Sequence, residues 1–241
     1  MVSYGESIKN NVFAITTLFS QIYKEYRDKI LNKVFNEIIK KPWMKYKEIE
    51  IIEEILKNLR PLKCLEWGSG YSTIYFPNFV SKTSKWISIE NDKDWAAKIE
   101  SINQNLNVEI FHIQPNHFPW TDKYKDGAYS DLADYIEFPS RFGSFDFILV
   151  DGRVRKDCLV KAYELVKNEG VVILHDANRD YYHEPFGLYK HHVLFKDYCK
   201  DAGGLWIGSK GIDIEKVLNV NKHRKLWRIY KSIQKLLQAK G

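Results

Sequence analysis

Cys64-Leu65-Glu66-Trp67-Gly68-Ser69-Gly70-Tyr71-Ser72-Thr73 decides the reading of this chain: an apolar run stops at an acid and turns over two glycines into the start of a helix. Gly68 and Gly70 permit a tight turn and a close approach of backbone to ligand, and a following helix offers free N–H groups. The next apolar run, Trp86-Ile87-Ser88-Ile89, also ends in an acid, Glu90, twenty positions after Gly70. At that spacing a carboxylate can meet ribose hydroxyls. A Gly-x-Gly turn alone also fits a plain strand-to-helix connection. The matched Glu90, with a further apolar run ending at Asp151, favours a site for a nucleotide-like ligand.

The chain has 241 residues, of which 44% are hydrophobic, enough for one sizeable core with terminal additions rather than two full domains. Three separated cysteines, Cys64, Cys158 and Cys199, indicate neither a disulfide framework nor a zinc knuckle, and a reducing cytoplasm is the expected location. Val12 to Phe19 is short, carries two threonines and runs into Lys24, Glu25 and Arg27, so neither a secretion signal nor a membrane span is expected there. The formal net charge of +6 gathers mainly at the two ends. Near the C-terminus Lys222, Arg224, Lys225, Arg228 and Lys231 alternate with Leu226, Trp227, Ile229 and Tyr230, the pattern of a basic amphipathic helix. Such a helix can touch a membrane surface in peripheral contact, an acidic partner or a nucleic acid, or it can keep a solvated basic face while its apolar side packs on its own domain or on a second subunit in a homodimer.

Periodicity divides the chain into a helical N-terminal extension (1–45), a central domain (46–211) and the C-terminal basic helix (212–241). Lys41-Pro42-Trp43 interrupts the extension, and 46–59 carries Ile49, Ile52, Ile55, Leu56 and Leu59 at helical spacing. Strands are then expected near 62–66, 85–90, 107–113, 145–151 and 170–176, alternating with helices near 71–80, 92–105 and 155–167. An irregular excursion over 115–144, with a short helix at 129–137, is of the kind that shapes substrate pockets. A loop with a short helix around 179–190 precedes two final strands, 192–198 and 205–210, joined through Gly203-Gly204.

Glu66-Trp67-Gly68-Ser69-Gly70, Glu90, Asp151-Gly152-Arg153 and His175-Asp176 together resemble the class I S-adenosylmethionine-dependent methyltransferases, over roughly residues 46 to 211. Val150-Asp151-Gly152-Arg153-Val154-Arg155 followed by Gly170-Val171-Val172-Ile173-Leu174-His175-Asp176 looks like the small-molecule and sugar O-methyltransferase branch. The resemblance implies an α/β fold: a Rossmann-like, seven-stranded, mostly parallel sheet with helices on both faces and a last pair of antiparallel strands. It implies S-adenosylmethionine as cofactor, held by Glu66, Gly68, Ser69, Gly70, Ser72, Thr73, Glu90 and Asp151, with Gln114 and Asn116 as candidates for the adenine edge. Ser72 stands where the family often has a third glycine, and it is able to cap the helix. Metal-dependent relatives carry an acidic pair or Asp-Asn after the fifth strand. Here the residues are Asp176-Ala177, which argues against a required magnesium ion, although Asp151, Asp176 and Asn178 still offer oxygen ligands.

Catalytic groups are expected beyond the strand ends, at Asp151, Arg153, His175 and Asp176. His175 is the first choice as general base, the alternative being a structural histidine bonded to backbone. Arg153, Arg155 and Arg179 are candidates for an anionic acceptor such as a phosphorylated or carboxylated sugar. Tyr181, Tyr182, Phe186 and Tyr189 are either an aromatic wall over the acceptor or a packed loop face. The expected activity is methyl transfer to a hydroxyl of a small molecule or glycan precursor. The alternative is a non-catalytic scaffold that keeps the fold and works through its basic C-terminal helix at a membrane or partner. The arginines near Asp151 oppose a polyamine acceptor, and the core lacks the continuous basic stripe of a nucleic-acid binder.

Overall fold

The computed structural model describes residues 16–28, 30–31, 41–199 and 202–238. Seven strands form one sheet in the order β3-β2-β1-β4-β5-β7-β6. They are β1 (Lys63–Trp67), β2 (Lys85–Glu90), β3 (Val108–His112), β4 (Phe145–Val150), β5 (Val166–His175), β6 (His191–Phe195) and β7 (Leu205–Ser209). The first five run parallel, and β7 inserts antiparallel between β5 and β6. This is the expected Rossmann-like α/β sheet with helices on both faces.

Strand alternation sorts the core into two layers. Leu65, Trp67, Ile87, Ile148, Val150 and Leu174 face the helix Arg155–Leu165 and the short helix Ala133–Glu137. Cys64, Trp86, Phe147, Leu149 and Ile173 face the helix Tyr46–Leu59, whose Ile49, Ile52, Ile55 and Leu56 are fully packed against them. Helices on both faces explain why these strands read as continuous apolar runs.

Several boundaries differ from the sequence reading. The helix expected over 71–80 is α-helical only at Tyr71–Tyr75 and tightens into a 3-10 turn at Phe76–Phe79, because Pro77 has no N–H to donate and its ring crowds the preceding turn. The helix expected over 92–105 is Lys93–Ile102, capped by the Asp92 carboxylate on the Trp95 N–H. Two 3-10 turns, Asp180–Tyr182 and Glu184–Leu188, replace the short helix near 179–190.

Both terminal segments pack on the Tyr46–Leu59 helix. Residues 16–28 and 30–31 are helical, and the rest of the expected N-terminal helix lies outside the described residues. Gln21 donates to Glu50 (2.6 Å), and the Tyr46 hydroxyl donates to Asp28 (2.7 Å). The C-terminal helix runs from Val220 to Gln238 rather than from 212. Leu226, Trp227 and Tyr230 are buried against the chain's own domain, so that part of the helix's apolar face is covered from within. Lys47 is buried between the Asp197 carboxylate (3.1 Å) and the rings of Trp227 and Tyr230 (3.9 and 4.2 Å), while Glu54 accepts from Lys222 and His223.

Candidate active site

The carboxyl ends of β1, β2, β4 and β5 surround a cleft of about 380 Å³. Gly68, Ser69, Gly70, Ser72, Glu90, Asp151, Arg153, His175 and Asp176 all line it, so nine residues scattered over more than a hundred positions meet at one place. In an open α/β sheet this edge, where the strand order reverses between β1 and β4, is where ligands bind.

The two glycines do different jobs. Gly68 has φ +93°, and a Cβ there would lie 2.5 Å from the backbone of Gly152, in the turn after β4. Its lack of a side chain lets the two strand-end turns pack backbone to backbone. Gly70 has ordinary extended backbone, and a Cβ there would meet only the Ser72 Oγ at 3.6 Å. The space above Gly70 is cleft, available to a ligand.

Glu90 is buried, with Oε1 accepting the N–H groups of Asn91 (2.8 Å) and Asp92 (2.9 Å). Burial pushes its carboxyl up, against the pull of these N–H donors and that of Ser69. A carboxylate so desolvated at a cleft wall gains from further hydroxyl donors, which is what a ribose diol provides.

Glu66 and Thr73 do not line the cleft. Glu66 lies on the sheet face opposite Leu65 and Trp67, where its carboxylate accepts from Ser72, Thr73 (2.8 Å), Trp86 Nε1 (2.9 Å) and Ser88 (3.2 Å). Complete burial raises its pKa to about 7 against these donors. The residue ties the glycine turn to β2 and holds the loop in shape. Ser72 borders the cleft, but its hydroxyl is given to Glu66.

At the far wall Asp151 Oδ1 sits 2.8 Å from His175 Nδ1 and 3.2 Å from the Arg155 guanidinium. The other ring nitrogen of His175 lies 3.5 Å from Glu48, which also accepts the Lys45 N–H at the start of the Tyr46–Leu59 helix. Burial alone would lower the pKa of His175, but the Asp151 and Glu48 carboxylates outweigh it and raise it to about 10. The imidazole is therefore a cation at neutral pH, unsuited to the general-base role expected from its type. With a folded value near 10 and an ordinary one of 6.5, the charged ring stabilises the fold fully below pH 6.5. That contribution, on the order of a few kcal/mol, is lost as pH rises through 10. Urea unfolding from below pH 6.5 up to pH 10 should show the parent losing this stability and His175→Gln losing much less. Equal losses would refute the clamp.

Arg155 is buried and donates to the backbone carbonyls of Gly152 (2.9 Å), Asp151 (3.1 Å) and His175 (2.7 Å), so it braces the turns after β4 and β5 rather than reaching for an acceptor. Asp176, in a left-handed turn at φ +58°, accepts the Gly203 N–H (2.7 Å). Its pKa is lowered: burial raises it, but His175 and Arg155 more than offset that. Arg179 lies 3.3 Å from Asp176 and donates to the Tyr182 hydroxyl. Asn178 turns its amide to the carbonyls of Cys199 and Ala202. With cations beside Asp151 and Asp176, this oxygen set does not fit a divalent ion, and among the described residues no cluster of three His, Cys, Asp or Glu could hold one.

Five cleft residues escaped the sequence reading: Trp43, Tyr71, Asn91, Trp95 and Asp126. Trp43, Tyr71 and Trp95 form an aromatic cluster at one wall, with Trp43 and Trp95 centroids 5.3 Å apart and the Trp95 indole donating to the Ser69 carbonyl (2.7 Å). Asp126 comes from the irregular excursion. Its carbonyl accepts the Val154 N–H and its carboxylate the Arg155 N–H. Burial raises its pKa, against Arg155 and Tyr182. Gln114 and Asn116 do not reach the cleft, and Asn116 is occupied by Asp134. Of the four proposed wall aromatics, Tyr182, Phe186 and Tyr189 are core residues, while Tyr181 faces open space stacked on Tyr124.

No protein-family model matches the chain, and no curated protein sequence matches it. Solved structures do. A Staphylococcus aureus protein described as a caffeoyl-CoA O-methyltransferase aligns with a TM-score of 0.53 at 15% identity, over 81% of this chain and 100% of its own. The O-methyltransferase from Bacillus cereus, in complex with SAH (S-adenosylhomocysteine), gives 0.51 at 17% identity, covering 81% of this chain and 91% of its own. A methyltransferase-like protein from Silicibacter pomeroyi gives 0.51 at 18%, covering 80% and 99%. By its strand order and by these similarities, the chain has the fold of the class I S-adenosylmethionine-dependent methyltransferases.

Proposed function

We propose that this protein is an S-adenosylmethionine-dependent methyltransferase acting on a hydroxyl of a small molecule. The observation that carries the reading is the pairing, across one cleft, of a glycine turn after β1 with a buried carboxylate, Glu90, at the end of β2. When bound, S-adenosylmethionine supplies a methyl group activated on a sulfonium. Glu90 would accept the ribose hydroxyls, and the open backbone at Gly70 would admit the amino-acid end. Trp43, Tyr71 and Trp95 would shield the site from water. Asp151, clamped by Arg155 and His175, is held in place at the end of β4. Asp126 takes the general-base role: its carboxylate, held by the Arg155 N–H, lines both this cleft and the neighbouring one, and burial raises its pKa, making it a stronger base than an ordinary aspartate.

Calorimetric titration with S-adenosylmethionine, S-adenosylhomocysteine and NAD tests the class. Binding of the two sulfur compounds and not NAD is expected; absence of both would overturn the reading. Glu90→Gln should weaken S-adenosylhomocysteine binding by roughly 10- to 100-fold, since it exchanges a charged acceptor for a neutral one. Unchanged affinity in a variant that melts like the parent would remove Glu90 from the site.

A further inference from the structure

A second cleft, of about 940 Å³, adjoins the first and shares Asp126, Arg153 and Arg179 with it. It is bordered by the excursion after β3, the loop after β5, the turn after β6 and, through Lys231, the C-terminal helix. On one side Tyr124 and Tyr181 stack face to face, centroids 3.8 Å apart and planes 6° from parallel, joining the excursion to the β5 loop as one apolar wall.

The charges of this cleft do not cancel. Its three acids have cationic or backbone partners: Asp197 is paired with Lys45 and Lys47, Asp180 lies 3.6 Å from Lys196, and Asp126 accepts from the Arg155 backbone. Lys125, Arg153 and Lys231 line the same cleft, and among the described residues none of their cationic groups has a hydrogen-bonded or ion-paired partner. Such surplus cations facing a cavity, rather than a flat solvated surface, mark an anion site.

We infer that the second cleft is the acceptor site and that it selects an acceptor carrying a phosphoryl or carboxylate group, bound by Lys125, Arg153 and Lys231 with its body against the Tyr124–Tyr181 wall. The inference rests on the methyltransferase reading for the word acceptor. It gives the C-terminal helix a part in the site: Lys231 completes a cleft whose other walls belong to the sheet loops. Arg153, lining both cavities, would hold the anion on the side nearest the cofactor cleft.

The test uses the full chain saturated with S-adenosylhomocysteine and titrated with inorganic pyrophosphate or with citrate at matched ionic strength. One of the two anions is expected to bind, pyrophosphate pointing to a phosphoryl acceptor and citrate to a carboxylate. Lys125→Gln with Lys231→Gln should weaken that binding by roughly tenfold or more. Neither lysine lines the cofactor cleft, so S-adenosylhomocysteine affinity should stay within about twofold of the parent. Binding of neither anion, or equal binding by parent and variant, overturns the anion site while leaving the methyltransferase reading intact. Failure of S-adenosylhomocysteine to bind the parent overturns that reading instead.

Discussion

Gly68→Ala should cost the protein both stability and its ligand site, whereas Gly70→Ala, two residues on, should cost only the site. At φ +93° an L-residue is strained by about 1–2 kcal/mol, and the new methyl would stand 2.5 Å from Gly152 Cα and N. Backbone cannot rotate away as a side chain can, so the β1 and β4 turns would have to separate, at a further cost of about 1–3 kcal/mol. Together these lower the melting temperature by roughly 5–15 °C in a chain of this size. At Gly70 the backbone is extended and the methyl meets one hydroxyl at ordinary contact distance, so melting should shift by less than about 2 °C. The methyl projects into free space of the cleft, and S-adenosylhomocysteine affinity should fall roughly tenfold. Thermal melts of both variants beside calorimetry decide it. A Gly68→Ala protein as stable as the parent would mean the two turns are not locked together.

The different fates of these glycines show what kind of information the sequence carries. Apolar runs ending in Glu66, Glu90, Asp151 and His175-Asp176 announce the strands and the edge of the sheet at which a ligand sits, because parallel strands covered on both faces must be apolar throughout. The same runs mislead about Glu66. Its side chain falls on the face of Cys64, bonded to Ser72 and Thr73 of the helix Tyr71–Tyr75, and alternation from Leu65 and Trp67 already contained that answer. His175 was legible as a site residue, but its protonation was not, since the second carboxylate beside it, Glu48, comes from a helix 127 positions earlier. Trp43 and Asp126 lie in a link and in an excursion without periodicity, and only tertiary packing delivers them to the cleft. The C-terminal helix is the intermediate case. Its amphipathic pattern indicates that one face is covered, and contacts of Trp227 and Tyr230 with Lys47 and of Lys222 and His223 with Glu54 show what covers it at those positions.

Asp126→Asn should lower turnover by roughly 10²- to 10⁴-fold, the usual value of a positioned general base, while leaving the cofactor bound. The substitution is nearly isosteric. Its carbonyl oxygen still accepts the Arg155 N–H, and the backbone bond from Val154 to residue 126 does not depend on the side chain. What disappears is the ability to take a proton. Asp126 is the one acid common to both clefts that is raised by burial, whereas Asp176 is lowered and His175 is already charged. Because the base works ionised, activity in the parent should rise with pH through a value above that of an ordinary aspartate and then level off. The variant should lack that rise. Release of S-adenosylhomocysteine in the presence of an anionic hydroxyl acceptor, followed across pH for both proteins, supplies the profile. A variant with parental turnover and the same pH dependence would show that the acceptor hydroxyl loses its proton without Asp126, and the position between the clefts would then serve only to join the excursion to the turn after β4.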